Sequence, residues 1–415
     1  MRTHDVIVIG AGLAGLRCAA ELAARGREVV VLEAADRVGG RQRTDHVDGF
    51  TLDHGFHVLN TTYPAVRAAV DVDSLSVAAF PTAVRVRRTD GSMAALAHPL
   101  RHPGLIPATL ASGLVTPRDL VGLARWLGPL VLRPRATVSR PDRTVGRGWD
   151  EAGLTGPLRT QVLSPFFSGI LADSSEMTSD AYVRLLARSF LPAAAGLPRE
   201  GIAALPHALA SRARAAGADI RLGRTVSRLR RRDGRWDVDA LGEETLMARD
   251  VVVAVAADAV EGLVDVPAPS TRGLQTWWFA ADEAPVSGLL TIDGSREGPI
   301  VNALAISATI SEAAPPGHHL VQATCLLTPG SAASEVDVRV QLARLYRSAS
   351  SSWRLLRRDD IPHALPALPP PMRRSSPTRI GPGLHLAGDH RESPSIQGAL
   401  HSGLRAARSV VHEPR

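Results

Sequence analysis

The first residues that indicate chemistry are three glycines near the start of the chain, in the stretch VIVIGAGLAGL. Gly10, Gly12 and Gly15 have the spacing of a turn that joins a strand to a helix and holds a phosphate. The first glycine makes the bend, the second lets the backbone approach a pyrophosphate, and the third lets the helix pack closely on the strand. The free N–H groups at the helix N-terminus, where Leu13 and Ala14 lie, complete the phosphate site.

A carboxylate follows this turn at the end of the next predicted strand, in the stretch EVVVLEA. Glu33 is placed there to accept hydrogen bonds from ribose hydroxyls, and it would repel a 2′-phosphate. The sequence therefore predicts a dinucleotide site that disfavours NADP. NAD and FAD share the same ADP half, so the turn and the acid leave both open.

The stretch LEAADRVGGRQRT, just downstream, favours FAD. It contains a second glycine pair followed by a cation, namely Gly39, Gly40 and Arg41. FAD is longer than NAD, and its pyrophosphate and ribityl chain need a further close approach of the backbone and a fixed positive charge. We expect FAD to bind non-covalently, because no cysteine or histidine stands in a recognisable context for covalent attachment.

Together with Glu33 and Ala34, this GGR triplet resembles the FAD-dependent oxidoreductases of the flavin amine oxidase and phytoene desaturase-like superfamily. That superfamily also includes protoporphyrinogen oxidase. The resemblance recurs in three later segments, in the expected order. In the first of them, DGFTLDHGFHVLN, it implies that Gly55, Phe56 and His57 run along the ribityl chain and the flavin edge.

The second and third of these segments imply further contacts with the cofactor. In GIAALPHALASRARAAGADIRLGRTVSRL, the backbone around Val226 is expected to face the adenine. In GLHLAGDHRESPSIQGALHSGLRAA, Gly388 and Asp389 are expected to hold the ribityl chain and the pyrophosphate.

The same C-terminal segment contains a helix that the resemblance directs at the flavin ring. Its first turn includes Ile396, Gln397 and Ala399. The resemblance implies that its N-terminus points at the N1–C2=O edge of the flavin. Reduced flavin carries negative charge at that edge, and a helix N-terminus stabilises negative charge.

The pattern of apolar runs predicts an α/β fold that begins with one βαβ unit. A Rossmann-like FAD-binding domain is expected from residues 1–75, 199–265 and 375–415. An inserted α+β substrate domain, with a mixed or antiparallel sheet and helices, is expected from residues 76–198 and 266–374. Within the first of these domains, RLRRRDGRW reads as a hairpin with Asp-Gly at its turn.

The segments DHGFHVL and GDHRESPSIQGAL resemble the phytoene-desaturase-like branch more than the true monoamine oxidases. Amine oxidases of the superfamily usually place a lysine near flavin N5, and all 48 basic residues of this chain are arginines. We therefore expect hydride transfer from a hydrophobic small molecule, such as an isoprenoid or polyene, to flavin N5. An amine or amino-acid oxidase, a flavin-dependent isomerase without net oxidation and a flavin-binding protein without turnover stay open as alternatives.

Few side chains are needed for such a reaction, because the flavin itself is the main catalyst. His57 and His363 are candidate proton acceptors, since imidazole titrates in the useful range. Trp277 and Phe279 are candidates for a wall of the substrate cavity. His54 and His57 have a spacing seen in metal sites, but no third ligand accompanies them, so no metal is expected.

The remaining expectations come from composition and charge. A net charge of +7 without any recognition motif does not indicate nucleic-acid binding. The start MRTHD leaves no room for a targeting peptide, which predicts a cytoplasmic location. Peripheral membrane contact through HPGLIPATLASGLV and the helix after it is a further expectation. Cys18 and Cys325 are expected to be buried thiols, and the electron acceptor, oxygen or a quinone, is left open.

Overall fold

The computed structural model describes residues 3–97, 101, 104, 106–132, 141–190, 195–328, 330–373 and 375–412. The strands of the described chain are β1 Thr3–Ile9, β2 Val29–Leu32, β3 Thr44–Val47, β4 Phe50–Asp53, β5 Val77–Ala79, β6 Ala83–Arg87, β7 Met93–Ala97, β8 Gly196–Pro198, β9 Asp219–Arg221, β10 Val226–Arg232, β11 Arg235–Ala240, β12 Leu246–Val253, β13 Thr271–Ala281, β14 Leu290–Asp293, β15 Ile300–Ala305, β16 His319–Leu327, β17 Arg354–Pro366, β18 Arg379–Gly381 and β19 Leu384–Leu386. The α-helices are α1 Leu13–Ala23, α2 Pro64–Ala69, α3 Ile106–Ala111, α4 Pro117–Leu132, α5 Val145–Ala152, α6 Ser164–Leu171, α7 Asp180–Ser189, α8 Ala204–Ala215, α9 Glu335–Tyr346 and α10 Ile396–Val411.

The first sheet is built around the predicted βαβ unit. Its central strands β9, β2, β1, β12 and β19 run parallel to one another. β1 and β2 are buried on both faces, which explains their continuous apolar sequences. The helices α1, α8 and α10 pack beside the sheet, with α1 in contact with both of the others. The carboxyl ends of β1, β2, β12 and β19 therefore meet at one edge, where such folds bind their ligands.

The same sheet carries the predicted hairpin. β10 and β11 pair antiparallel, and β11 continues onto β12. The turn between them is Asp233-Gly234, and both residues have positive φ angles, +49° and +78°. This is the conformation that a two-residue hairpin turn requires, so the predicted hairpin is confirmed.

The second sheet has the strand order β17-β13-β16-β15-β14-β6-β7 within the described residues. All neighbouring strands are antiparallel except β14 and β6, so the sheet is mixed. One face packs on α9, where Leu342, Leu345 and Tyr346 are buried against strand residues. The opposite face lies towards the first sheet.

The helices α3 to α7 form a separate cluster beside this sheet. Trp126, Trp149 and Phe167 pack at its centre, with ring centroids 5.8 to 6.4 Å apart. α4 has the sequence PRDLVGLARWLGPLVL. In the part of the chain that the structure describes, no helix has the length and apolar character needed to cross a membrane.

The segment predicted to contact a membrane lies partly outside the described residues. Of its described part, α3 exposes Ile106 and Leu110, and α4 adds exposed Leu120 and Val121. Peripheral membrane contact stays a prediction.

The two sheets draw their strands from different parts of the chain. The first uses residues 3–32, 219–253 and 379–386, and the second uses residues 83–97 and 271–366. These ranges fall inside the segments predicted for the two domains, and the α/β fold with an additional mixed sheet is confirmed. Both cysteines are buried free thiols.

Candidate functional site

A cavity of 1130 Å³ runs from the carboxyl edge of the first sheet to the cavity-facing side of the second. This volume exceeds the usual range for a site that holds one drug-sized ligand. It is large enough for a long cofactor and a second molecule beside it. All of the predicted cofactor residues line it except Gly15 and Gln397.

The glycine turn shows why each of its glycines is required. Gly10 has a φ of +101°, and a Cβ there would lie 2.7 Å from the carbonyl oxygen of Ala254. A Cβ at Gly15 would lie 1.9 Å from the carbonyl oxygen of Gly10. Gly15 therefore permits the predicted close packing of the helix on the strand. Gly12 has an ordinary φ of −74°, and a Cβ there would meet no atom within 4 Å. Its free side is therefore open to the cavity, where a phosphate would approach.

Glu33 lies at the end of β2 and holds the turn in place. Its Oε2 accepts a hydrogen bond of 2.6 Å from the N–H of Ala11, and its Oε1 accepts one of 2.9 Å from the N–H of Ala35. A carboxylate has about four acceptor positions, so these two bonds leave capacity for ribose hydroxyls. Ala34 and Val226 line the cavity in the same region.

Arg41 connects three distant parts of the chain at the middle of the cavity. Its Nη2 donates to Oδ1 of Asp389 at 2.6 Å, and its Nη1 donates to the carbonyl oxygen of Ala364, also at 2.6 Å. Gly39 has a φ of +119° and donates its N–H to the carbonyl oxygen of Ala11. The second glycine pair therefore lies directly against the first turn, as a continuous cradle for a pyrophosphate would need.

The C-terminal segment closes the cavity from the other side. Gly388 has a φ of +152°, and its N–H donates to Oγ of Ser402 at 3.1 Å. Ser395 caps α10 by accepting the N–H of Gly398 at 3.0 Å. α10 packs against α1 so closely that a Cβ at Gly403 would lie 2.2 Å from the carbonyl oxygen of Ala14. Two helix N-termini thus face one cavity, which makes it favourable for negative charge.

His57 lies in the cavity wall beside a buried acid. Its Nε2 donates to the carbonyl oxygen of His54 at 3.0 Å, which leaves Nδ1 as the nitrogen that can accept a proton. Burial lowers the pKa of His57 below its usual range, although the nearby Asp53 carboxylate acts in the opposite direction. Burial also raises the pKa of Asp53, whose Oδ1 accepts hydrogen bonds from Thr44 and Ile202. His57 is therefore neutral near pH 7.

The part of the cavity beyond the cofactor segments has an apolar, aromatic wall, which we call the distal wall. Its aromatic members come from well-separated segments and include two of the three tyrosines of the chain. They are Tyr63, Phe80, Phe166, Tyr182 and Phe190. Its other members come from residues 60–84, 169–195 and 290–304.

Trp277 and Phe279 do not contribute to this wall, which corrects the prediction that they line the substrate cavity. Both side chains point to the α9 face of β13, where their rings are stacked 6.5 Å apart. Trp277 donates its Nε1–H to Gln275, and Arg358 lies 5.2 Å over its ring. Because side chains alternate along a strand, the cavity-facing positions are those between them.

Two further predicted residues also lie away from the cavity. His363 is about half exposed on β17 and shares a 2.7 Å hydrogen bond with Thr271, so its predicted role as proton acceptor is wrong. The Gln397 side chain accepts the N–H of Ala65 at 2.9 Å and so ties α10 to α2 instead of lining the cavity.

His54 and His57, which have a spacing seen in metal sites, make separate contacts. His54 contacts Asp45 through Nε2 at 2.5 Å, while His57 points its Nε2 at a carbonyl group. Among the described residues, no group of three histidine, cysteine, aspartate or glutamate side chains is placed to hold a metal.

None of the aromatic residues of the distal wall was predicted from the sequence. Its aromatic residues are isolated in sequence and have no common motif. One signal was available. The chain has only seven phenylalanines and three tyrosines, so each of them was a stronger candidate for a functional position than the residues around it.

These features define a Rossmann-like dinucleotide-binding fold with a second, mixed sheet. They are the glycine turn at the carboxyl edge of the parallel sheet and the second glycine pair against it. The comparison with protein families is more specific. The model of the family of flavin-containing amine oxidoreductases matches residues 13–411, and the chain belongs to that family. The predicted superfamily is confirmed, and its cofactor is a flavin.

The residues of the cavity fit a flavin cofactor. The open side of Gly12, the Arg41–Asp389 ion pair and the N-terminus of α10 all line this one cavity. The first would hold a pyrophosphate, the second the ribityl chain and the third the flavin ring.

Individual relatives include both oxidase-like and desaturase-like proteins. The putative flavin-containing monoamine oxidase AofH of Mycobacterium tuberculosis is 32% identical over 204 residues, which cover 48% of this chain and 42% of AofH. The zeta-carotene-forming phytoene desaturase of Myxococcus xanthus is 30% identical over 299 residues, 64% of this chain and 56% of the desaturase. The chain thus spans about half the length of these curated relatives, and they leave the substrate class unresolved.

A solved structure supports the fold over the whole chain. An oxidoreductase from Methanosarcina mazei superposes with a TM-score of 0.77 and 19% identity, covering 97% of this chain and 100% of its own.

Proposed function

We propose that the chain binds FAD non-covalently in this cavity and oxidises a neutral, hydrophobic small molecule, as a desaturase or dehydrogenase. Bound flavin supplies a hydride acceptor at its N5. The observation that carries the proposal is the chemistry of the distal wall. Its described lining residues include five aromatic rings and several aliphatic side chains, and no aspartate, glutamate or arginine is among them.

Such a wall favours an uncharged substrate. A carboxylate or ammonium group that enters it loses its hydration and finds no opposite charge, which costs several kcal/mol. An apolar skeleton gains about 25 cal/mol for each Å² that it buries there. The name of the Myxococcus xanthus relative, a phytoene desaturase, supports the same class of substrate.

His57 is the residue that we assign to the proton. Oxidation of a C–C bond removes a hydride from one carbon and a proton from its neighbour, and a double bond forms between them. His57 lines the cavity, is neutral near pH 7 and has Nδ1 free to accept the proton. The negative charge of the Asp53 carboxylate beside it stabilises the imidazolium that results.

An amine oxidase is the second candidate, and one observation favours it. Tyr63 and Tyr182 both line the distal wall, and aromatic faces bind ammonium groups through cation–π interactions. The relative AofH is named as a putative monoamine oxidase. An isomerase that uses reduced flavin is a third possibility within the same site.

Anaerobic mixing separates these functions. We expect the FAD-loaded protein to lose its flavin absorbance when it is mixed with polyene hydrocarbons or polyprenyl alcohols, and to keep it with primary amines. Loss of absorbance with amines alone would make the protein an amine oxidase. Product that forms only after prior reduction of the flavin would make it an isomerase. Reoxidation by air or by a quinone then identifies the electron acceptor.

A further inference from the structure

The cavity-facing side of the second sheet carries a row of polar side chains in an otherwise apolar region. Asn302 on β15 pairs with Thr324 on β16, which pairs with Thr276 on β13. Gln322 and Trp278 form the next such pair, two residues along the same strands. All five side chains are at least 96% buried. We call these five residues the polar row.

Four atoms of the polar row lack a hydrogen-bond partner among the described residues. They are Oδ1 of Asn302, Oε1 of Gln322, Oγ1 of Thr276 and Nε1 of Trp278. Within the row, Nε2 of Gln322 donates to Oγ1 of Thr324. Buried polar atoms are nearly always paired, and leaving one unpaired costs about 1–3 kcal/mol. Of the five residues, only Asn302 is among the described residues that line the cavity, so its Oδ1 is the one of these four atoms that a ligand in the cavity can pair with.

Asn302 connects the polar row to the cavity. It lines the distal wall together with Gly169 of α6. The helix backbone approaches the carboxamide so closely that a Cβ at Gly169 would lie 2.1 Å from Nδ2 of Asn302. The neighbouring lining residues Phe166, Ile170 and Leu304 are apolar. One carboxamide with unused hydrogen-bonding capacity therefore stands within an apolar wall.

We propose that Asn302, where the polar row reaches the cavity, is a specificity residue for an uncharged hydroxyl group on an otherwise apolar substrate. The proposal deepens the proposed function and rests on it. A side-chain amide can accept a hydrogen bond from a hydroxyl group and can also donate one to the hydroxyl oxygen. Oδ1 of Asn302 has no donor among the described residues, so a substrate hydroxyl could fill that position. A charged group is excluded by the absence of acidic and basic side chains from the described distal wall.

The test compares two probes of the same carbon skeleton. Geraniol and the hydrocarbon that differs from it only in lacking the hydroxyl are titrated into the FAD-loaded protein, and the shift of the flavin absorbance reports binding. We expect geraniol to bind about tenfold more tightly, the contribution of a well-placed hydrogen bond. We expect Asn302→Leu to bring the ratio of the two affinities close to one.

Two further variants keep the test independent of folding. Gly169→Ala keeps the carboxamide but displaces it, and alanine is well tolerated in a helix, so this variant is expected to reduce the preference as well. Thr291→Val removes a buried hydroxyl on the opposite face of the same sheet. That hydroxyl contacts Tyr346 of α9. It is expected to keep the wild-type ratio.

The proposal is overturned if the wild type binds both probes equally, if it binds neither, or if Asn302→Leu keeps the tenfold preference. The last result would mean that the polar row holds internal water only. Because the probes are compared as ligands, the outcome does not depend on their oxidation. Flavin reduction by amines would overturn the proposed function and leave the hydroxyl preference as measured.

Discussion

Gly12→Val is expected to abolish flavin binding while the cofactor-free chain stays as stable as the wild type. A side chain at this position meets no protein atom within 4 Å, and the φ of −74° suits any residue. The same side chain would occupy the cavity where the backbone has to approach the pyrophosphate. We expect affinity for FAD to fall at least about a hundredfold, which corresponds to about 2.7 kcal/mol.

The measurement is a titration of cofactor-free protein with FAD, followed by flavin fluorescence, next to a urea unfolding curve of the cofactor-free variant. Gly128→Val is the matched control, because a Cβ at Gly128 also meets nothing within 4 Å but lies in α4, away from the cavity. Retained FAD affinity in Gly12→Val would show that the glycine turn does not hold the phosphates.

His57→Gln is expected to slow flavin reduction by substrate about a hundredfold or more, since a positioned general base typically contributes 10² to 10⁴. Glutamine keeps a polar side chain of similar reach but cannot take up a proton. The flavin spectrum of the bound cofactor should stay close to that of the wild type. The measurement is the rate constant of absorbance loss after anaerobic mixing.

The pH profile adds an independent signature of the same residue. His57 has a lowered pKa because it is buried, so it stays unprotonated down to below the ordinary imidazole value of about 6.5. The reduction rate of the wild type should therefore be flat from neutral pH through about 6.5 and fall only at lower pH. The variant should lack this fall.

His363→Gln is the control, because that histidine is half exposed and bonded to Thr271. It is expected to leave the reduction rate unchanged. A variant His57→Gln that reduces its flavin at the wild-type rate would remove His57 from the proposed chemistry.

The sequence was most informative where function imposes a local backbone constraint. The glycines at 10, 39 and 388 have positive φ angles, and the turns that need them are encoded within a few residues. Short stretches of sequence were therefore enough to predict the glycine turns that line this part of the cavity.

The substrate half depends on packing that no short stretch encodes. Trp277 and Trp278 are adjacent and point to opposite faces of β13, and the covering of one face by α9 places Trp277 and Phe279 in a core away from the cavity. The pairing of β13 with β17 contains irregularities in register, and such a bulge changes the direction of the side chains beyond it. Ile361 thus lines the cavity while His363, two residues later, is outside it.

Release of the cofactor tests the central claim most directly. The protein is purified, unfolded with acid without proteolysis, and filtered, and the filtrate is analysed by mass spectrometry and absorbance. The account predicts one FAD per chain in the filtrate and an unmodified polypeptide. A nicotinamide dinucleotide in the filtrate, flavin retained on the polypeptide, or protein that neither contains nor takes up FAD would contradict it.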